Sequence, residues 1–191
     1  MAQRNSGYKR VDADFYPTPS WVTEALMNHT WNMDNHKYWK IWEPACGDGA
    51  IVDVFKQYGY TVWGSDIRGT PSVDFLDDKV GLPRPHCNAI ITNPPYRRDL
   101  IEAFIRKALR LMEPVDGRVA MLMRIDFDSA VTRTDMFRDH LAWGEKLVLT
   151  KRIKWFDDGN KNGPSENHAW YIWDWGRRND NTQSPNIVYG Q

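Results

Sequence analysis

The apolar run Ala89-Ile90-Ile91-Thr92 stops at Asn93-Pro94-Pro95-Tyr96, and this junction constrains the fold more than any other stretch of the chain. A short run of small and β-branched residues reads as a core strand, and the two prolines end it because neither can donate to a sheet ladder. The residues beyond Thr92 therefore leave the sheet and project from its edge. The Asn93 side-chain oxygen and the Pro94 backbone carbonyl can both accept hydrogen bonds from one planar amino group, and Tyr96 offers a ring on which a flat base can stack. A Pro-Pro turn with no further role is the plainer reading of the same residues.

Around this strand the hydrophobic pattern alternates between strand and helix spacing. Pro17-Thr18-Pro19-Ser20 opens a helix running toward His29, with Ser20 or Thr18 as its cap. A strand at 40–42 breaks at Pro44 and Gly47-Asp48-Gly49, and helical spacing returns over 50–58. Strands are expected at 60–64, 88–92, 119–123, 146–150 and 169–173. From Asp99, the apolar residues Leu100, Ile101, Phe104, Ile105, Ala108, Leu109 and Met112 mark an amphipathic helix. A further helix is expected around 134–141. Such alternation predicts an α/β fold, doubly wound, with a mostly parallel sheet and helices on both faces. Ligands then belong at the carboxyl ends of the strands.

With 191 residues, 41% of them hydrophobic, the chain has room for one well-filled core. The expected organisation is a flexible segment over 1–13, a single domain over 14–176 and a polar, flexible tail over 177–191, leaving no separate recognition domain. No apolar run approaches the length of a membrane span and the first residues are polar, so a cytoplasmic location is expected. Cys46 and Cys87 lack metal-ligand spacing and read as buried free thiols; no metal is expected. The zero net charge hides an asymmetry: residues 1–78 carry 7 Lys and Arg against 11 Asp and Glu, and residues 79–191 carry 18 against 14. A polyanion approaching one side of the domain is compatible with that distribution.

Two other strand ends carry chemistry. Glu43-Pro44-Ala45-Cys46-Gly47-Asp48-Gly49 is a strand-to-helix turn whose small residues let backbone approach a ligand, while its acids can meet a positive group. Paired carboxylates repel phosphate, so this is not a phosphate loop. The ligand should carry an ammonium or sulfonium. Asp66, about 20 residues on, is placed to accept two ribose hydroxyls. A cationic nucleoside satisfies both positions, although Asp48 could simply cap a helix and Asp66 could be a solvated loop acid.

In this order, Tyr16-Pro17-Thr18-Pro19, the Glu43–Gly49 turn, Gly64-Ser65-Asp66, Asp74-Phe75-Leu76 and Asn93-Pro94-Pro95-Tyr96 resemble the class I S-adenosylmethionine-dependent amino-methyltransferases. The likeness is greatest to adenine-N6 DNA methyltransferases of the NPPY type, in particular small phage or prophage members. It spans about residues 14–125 by motif order. It implies a Rossmann-like seven-stranded sheet and S-adenosyl-L-methionine as cofactor. Thr18, Glu43, Ala45 and Gly47 would touch the methionine part, and Tyr16, Cys46 and Asp48 would also bind the cofactor. Asp66 would hold the ribose hydroxyls and Ile67 would also bind the cofactor, while Asp74 and Phe75 would meet the adenine, with Asp77 and Asp78 as rivals to Asp74. Asn93 would touch cofactor and target alike. Asn93, Pro94, Pro95 and Tyr96 would form the catalytic acceptor site, and Arg68 has no assigned role.

For a DNA substrate the target base must leave the stack. Tyr96, Trp155 and Phe156 are candidate stacking partners, Arg97, Arg98 and Lys154 candidate phosphate contacts, together with Lys151 and Arg152. Trp170 is a further aromatic candidate, His168 belongs to the substrate side of the site, and the polar loop over 157–167 could close over a substrate. Sequence specificity is expected to be relaxed, loop-built, or supplied by a partner or a second copy. RNA adenine methylation, protein glutamine-N5 methylation and a non-catalytic cofactor-binding scaffold remain open at this level.

Overall fold

The central strands are apolar on both faces, so the sheet they build has to be covered twice. A computed structural model, which describes residues 16–30, 38–83, 87–155, 166–177 and 185–190, shows how. Its strands are β1 (Lys40–Glu43), β2 (Thr61–Gly64), β3 (Ala89–Thr92), β4 (Arg118–Arg124), β5 (Trp143–Leu149), β6 (His168–Asp174) and β7 (Asn186–Gly190), in the spatial order β2-β1-β3-β4-β6-β5-β7. β6 runs antiparallel to both neighbours, and every other pairing is parallel. This is the expected α/β architecture: a mostly parallel, seven-stranded, Rossmann-like sheet.

Alternation along the strands divides the core in two. Val119, Met121 and Met123 of β4 and Tyr171 and Trp173 of β6 face one side, where helix α3 (Arg98–Met112) packs Ile101, Phe104, Ile105 and Met112 against them. Ala120, Leu122, Trp170 and Ile172 face the other side, covered by α1 (Ser20–Thr30) and α2 (Ala50–Gln57) through Val22, Leu26, Ile51 and Phe55. Tryptophans tie these layers with polar hooks as well as area. Trp170 Nε1 donates to the Val22 carbonyl of α1 at 2.9 Å, Trp173 Nε1 to the Met136 carbonyl at 2.6 Å, and Trp175 Nε1 to the Leu109 carbonyl of α3 at 3.0 Å. Each buried indole N–H is thereby satisfied while its rings fill the core.

Two expected elements differ. Residues 134–141 form turns, preceded by 3-10 turns at Phe127–Ser129 and Val131–Arg133, and not a helix. Their backbone bonds mix spans, with Met136 N–H reaching Arg133 and Asp139 N–H reaching Thr134, so no continuous i to i−4 ladder develops. The Met136 carbonyl is taken by Trp173, and Phe137 is wedged against Trp143 and Trp173. The expected tail over 177–191 also needs correction: Asn186–Gly190 is β7, paired in parallel with β5. Its alternation is inconspicuous because it is an edge strand with Ile187 and Tyr189 exposed and Val188 packed inward. The N-terminal segment over 1–13 lies outside the described residues, as do 178–184 and 191.

Among the described residues no helix is long and apolar enough to cross a membrane. At the carboxyl edge of the sheet β2 packs closely on the turn after β1. A Cβ built on Gly64 would lie 3.0 Å from Cys46 Sγ and 3.1 Å from both Cys46 Cβ and Val52 Cγ2. Gly64→Ala is expected to destabilise the fold by about 1–3 kcal/mol through overpacking, read as a lowered urea midpoint that Cys46→Ala in the same chain partly restores. An unchanged midpoint for G64A would show that the turn yields freely.

Candidate active site

The carboxyl ends of β1, β2 and β3 lie side by side, and the turn after β1 is pinned to the end of β2. Gly47 and Gly49 adopt φ values of 55° and 93°, which favour glycine. Ser65 N–H donates to the Glu43 carbonyl, and Cys46 N–H to the Ser65 carbonyl, each at 2.9 Å. Asp66 completes the clasp. Its Oδ2 accepts from Gly47 N–H at 2.9 Å, and its Oδ1 accepts from the Arg68 backbone N–H at 2.8 Å and from Arg68 Nε at 3.3 Å. Arg68, to which the sequence assigns no part, is thus the cation paired with Asp66.

These strand ends enclose a cavity of ≈ 330 Å³. Tyr16, Thr18, Glu43, Ala45, Cys46, Gly47, Asp48, Asp66, Ile67, Asp74, Phe75 and Asn93 all line it, the full set of candidate cofactor residues. Of the three acids in the Asp74–Asp78 loop, Asp74 faces the cavity. Asp77 accepts instead from the Lys79 N–H at 2.9 Å, and exposed Asp78 pairs with Arg110 at 3.5 Å. Phe75 is held between Trp42 and Phe104, with ring centroids at 5.2 and 4.8 Å. The walls also include Arg68, Leu100 and Phe104. Leu100 and Phe104 sit at i and i+4 on α3; their helical spacing was legible, but nothing in it separated cavity wall from core.

The cavity wall includes a buried acid. Glu43 is 2% exposed and its Oε2 accepts no hydrogen bond among the described residues. Burial pushes its carboxyl well above the usual range; the Val52 backbone N–H opposes this, and the nearby Asp66 and Asp48 charges add to the rise. Asp48 Oδ1 accepts from Ala50 N–H at 3.3 Å, while the N-cap position of α2 is Gly49. Cys46, expected to be buried, is half-buried in the cavity wall; desolvation first, then the Glu43, Asp66 and Asp48 charges, push its thiol up to about 11, and burial pushes Cys87 up to about 12, so neither is a thiolate near neutrality. Among the described residues no cluster of His, Cys, Asp and Glu could hold a metal ion.

In the cavity wall Asn93 is fixed by an unambiguous pair of bonds. Its Nδ2 donates to the Tyr16 carbonyl and to Thr18 Oγ1, both at 3.1 Å. A carbonyl partner can only accept, so Nδ2 must face Tyr16 and Oδ1 must face away. That Oδ1 is buried and accepts nothing among the described residues. Pro95 and Arg97 line the cavity beside it. Tyr96 instead joins an aromatic cluster, with centroid distances of 5.8 Å to Tyr16, 6.0 Å to Trp155 and 5.9 Å to His168, all near perpendicular. Trp155 also meets Tyr16 at 5.5 Å and His168 at 5.3 Å.

His168 opens β6 opposite Arg124 and is buried. Burial first, and the Arg124 charge second, lower its pKa to about 4, so it is a neutral imidazole near pH 7 whose Nδ1 accepts no bond among the described residues. Trp170 is fully buried in the core, away from this cluster. Arg97 and Arg98 are exposed and pair with Asp99 and Glu102 at the start of α3; Lys154 is exposed next to Trp155. Phe156 and the loop residues 157–165 lie outside the described residues.

No protein-family model and no curated protein sequence matches the chain. Solved structures do. A candidate RNA methyltransferase from Pyrococcus horikoshii superposes with a TM-score of 0.63 at 12% identity, covering 90% of this chain and 91% of that one. The modification subunit of a candidate type I restriction enzyme from Vibrio vulnificus gives 0.57 at 14% identity over 85% of this chain and 45% of that one. A candidate class I S-adenosylmethionine-dependent methyltransferase from Listeria monocytogenes gives 0.54 at 13% identity over 89% of this chain, which spans only 61% of the Listeria protein. The fold is therefore the Rossmann-like class I methyltransferase fold.

The buried Glu43 has a measurable signature. Its raised folded-state pKa means that folding favours the neutral acid; that contribution is complete below the unfolded value and fades as pH rises through the folded one. Relative to Glu43→Gln, which does not titrate, the wild-type chain is expected to lose stability progressively as pH climbs from about 4.5. Urea unfolding of the two ligand-free proteins across that range checks it, and parallel curves would rule out a buried, uncompensated carboxyl.

Proposed function

We propose that this chain transfers a methyl group from S-adenosyl-L-methionine to the exocyclic N6 amino group of adenine in DNA. The observation that carries the reading is the Asn93 Oδ1 atom, a buried acceptor with no partner among the described residues, on a residue that lines the cavity together with Glu43, Asp48, Asp66 and Asp74. A polar atom kept in that condition costs stability, and a ligand amino group would satisfy it. The resemblance of the ordered motifs to NPPY-type adenine methyltransferases supports adenine as the base. The Vibrio likeness, a restriction-modification subunit, supports DNA, and the Pyrococcus likeness makes RNA the alternative to be tested.

The cavity residues fit S-adenosylmethionine by charge and size. Glu43 offers a carboxyl to an ammonium, and a neighbouring cation would favour its charged form. Asp66 retains lone pairs for ribose hydroxyls while Gly47 and Arg68 hold its orientation. Asp74 offers an acceptor toward an adenine amino group, and Phe75 and Ile67 offer apolar surface. When bound, S-adenosylmethionine supplies an activated methyl group.

The acceptor side needs no strong base. An aromatic amino nitrogen is a poor nucleophile because its lone pair is delocalised into the ring. Two acceptors, Asn93 Oδ1 and the Pro94 carbonyl, favour the pyramidal nitrogen and stabilise the positive charge that develops on it. The rigid Pro94-Pro95 turn fixes the second acceptor relative to the first. Tyr96, supported by Tyr16, Trp155 and His168, positions the base. Arg97, Arg98 and Lys154 lie on the exposed side, where exchange of a carboxylate partner for a phosphate leaves each arginine paired.

Asn93→Ala is expected to lower kcat by about a hundredfold or more, and Tyr96→Ala to raise the KM for nucleic acid. Initial rates with labelled S-adenosylmethionine and unmethylated DNA check both, with nucleosides identified by mass spectrometry. N6-methyladenine in DNA is the expected product. Label in RNA alone, N4-methylcytosine, or label only in protein would each overturn the assignment.

A further inference from the structure

The adenine-side wall of the cavity is a loop with neither strand nor helix over residues 65–83, and it has to be positioned by something outside itself. Lys107 answers that need. It lies on α3 at seven and three residues beyond Leu100 and Phe104, so it continues the stripe that these two cavity-lining residues begin. It is 5% exposed, unusual for a lysine, and does not itself line the cavity. Its Nζ donates to the Asp77 carbonyl at 2.6 Å and sits 5.4 Å from the centroid of the Phe75 ring.

The loop's own bonds turn tightly around that point. Asp77 N–H donates to the Asp74 carbonyl at 3.1 Å, Leu76 N–H to Asp74 Oδ1 at 2.9 Å, and Val80 N–H to the same Asp77 carbonyl at 2.9 Å. Asp74, Asp77 and Asp78 place three carboxylates within five residues. The Leu76 N–H orients Asp74 locally and Arg110 pairs with exposed Asp78, but neither ties the loop to the core, and the three carboxylates repel one another. One ammonium bonded to the loop backbone and lying over Phe75 holds the acid and the ring together.

We propose that Lys107 is a positioning residue for the adenine subsite: reaching from α3 to the Asp77 carbonyl and the Phe75 ring, it sets the wall from which Asp74 and Phe75 meet the cofactor's adenine. This rests on the reading of the cavity as an S-adenosylmethionine site. Lys107 touches neither cofactor nor target, so its loss acts on binding and leaves the chemical step intact.

The test compares wild-type, K107M and K107R protein. Calorimetric titration with S-adenosylmethionine and with 5′-methylthioadenosine, which keeps adenine and lacks the amino-acid end, is expected to give Kd values raised about tenfold for both ligands in K107M. K107R, which keeps the charge and the donor, should recover most of that loss. At saturating cofactor, kcat for K107M should stay within about threefold of wild type. Should K107M not fold, K107Q, which retains a donor, carries the same comparison. Unchanged Kd values, or a fall in kcat at unchanged Kd, overturn the role of Lys107 alone. Wild-type protein that binds neither ligand overturns the cofactor reading, and this inference with it.

Discussion

The clasp between Asp66 and the Gly47 N–H, at 2.9 Å, is the contact on which the site depends. It joins the turn after β1 to the end of β2, and the left-handed Gly47 is what turns its N–H toward the carboxylate. With that turn fixed, Glu43 is confined beneath it at 2% exposure. Arg68 pairs with Asp66 from the loop side, whereas burial pushes the Glu43 carboxyl well above its usual range. A group that costs stability in the ligand-free chain and loses that cost on meeting a cation is a group arranged for a ligand.

The acceptor side is built with the same economy of support. Asn93 leaves β3 immediately before two prolines, so its backbone cannot drift along the sheet edge. Its amide is then oriented from the far end of the chain, by the Tyr16 carbonyl and the Thr18 hydroxyl. Tyr16 serves a second time, packing its ring against Tyr96 and Trp155. One segment before α1 thereby sets both the hydrogen-bonding atom and the aromatic surface. Loss of that segment's placement would disturb both at once, although neither feature is near it in sequence.

How much of this was legible in the sequence depends on the range of the interactions involved. The Asn93–Tyr96 junction, the Gly47-Asp48-Gly49 turn and the amphipathic stripe from Leu100 to Met112 are local signals, and each falls at the place its residues imply. The reversed direction of β6 was not legible, because a strand buried on both faces reads the same either way. Residues 134–141 carry helix-like spacing, but Trp173 and Phe137 draw them into turns from outside. β7 hides behind a polar stretch and exposes alternate side chains. Arg68 and Lys107 were missed for a different reason: a charged residue following an acid, or on a helix, looks solvated until its partner 2.6 or 3.3 Å away is seen.

The charge asymmetry between the halves of the chain acquires a spatial meaning from these contacts. Glu43, Asp48, Asp66 and Asp74, which line the cavity, all come from the acidic first 78 residues. Arg97 and Arg98 come directly after Tyr96, Arg124 faces His168 across the β4–β6 ladder, and Arg152 Nε donates to Asn167 Oδ1 beside His168. Lys154 is exposed next to Trp155, and Lys151 Nζ lies 5.1 Å from the centroid of the Trp21 ring. All of these cations come from the basic second half. Under the proposed function the cavity acids would meet a cationic cofactor, and the arginines near Tyr96, paired here with Asp99, Glu102 and Glu166, would exchange those carboxylates for a polyanion. The proposed methyl transfer would then take place beside Asn93, which lines the cavity and directly precedes Pro94, Pro95 and Tyr96.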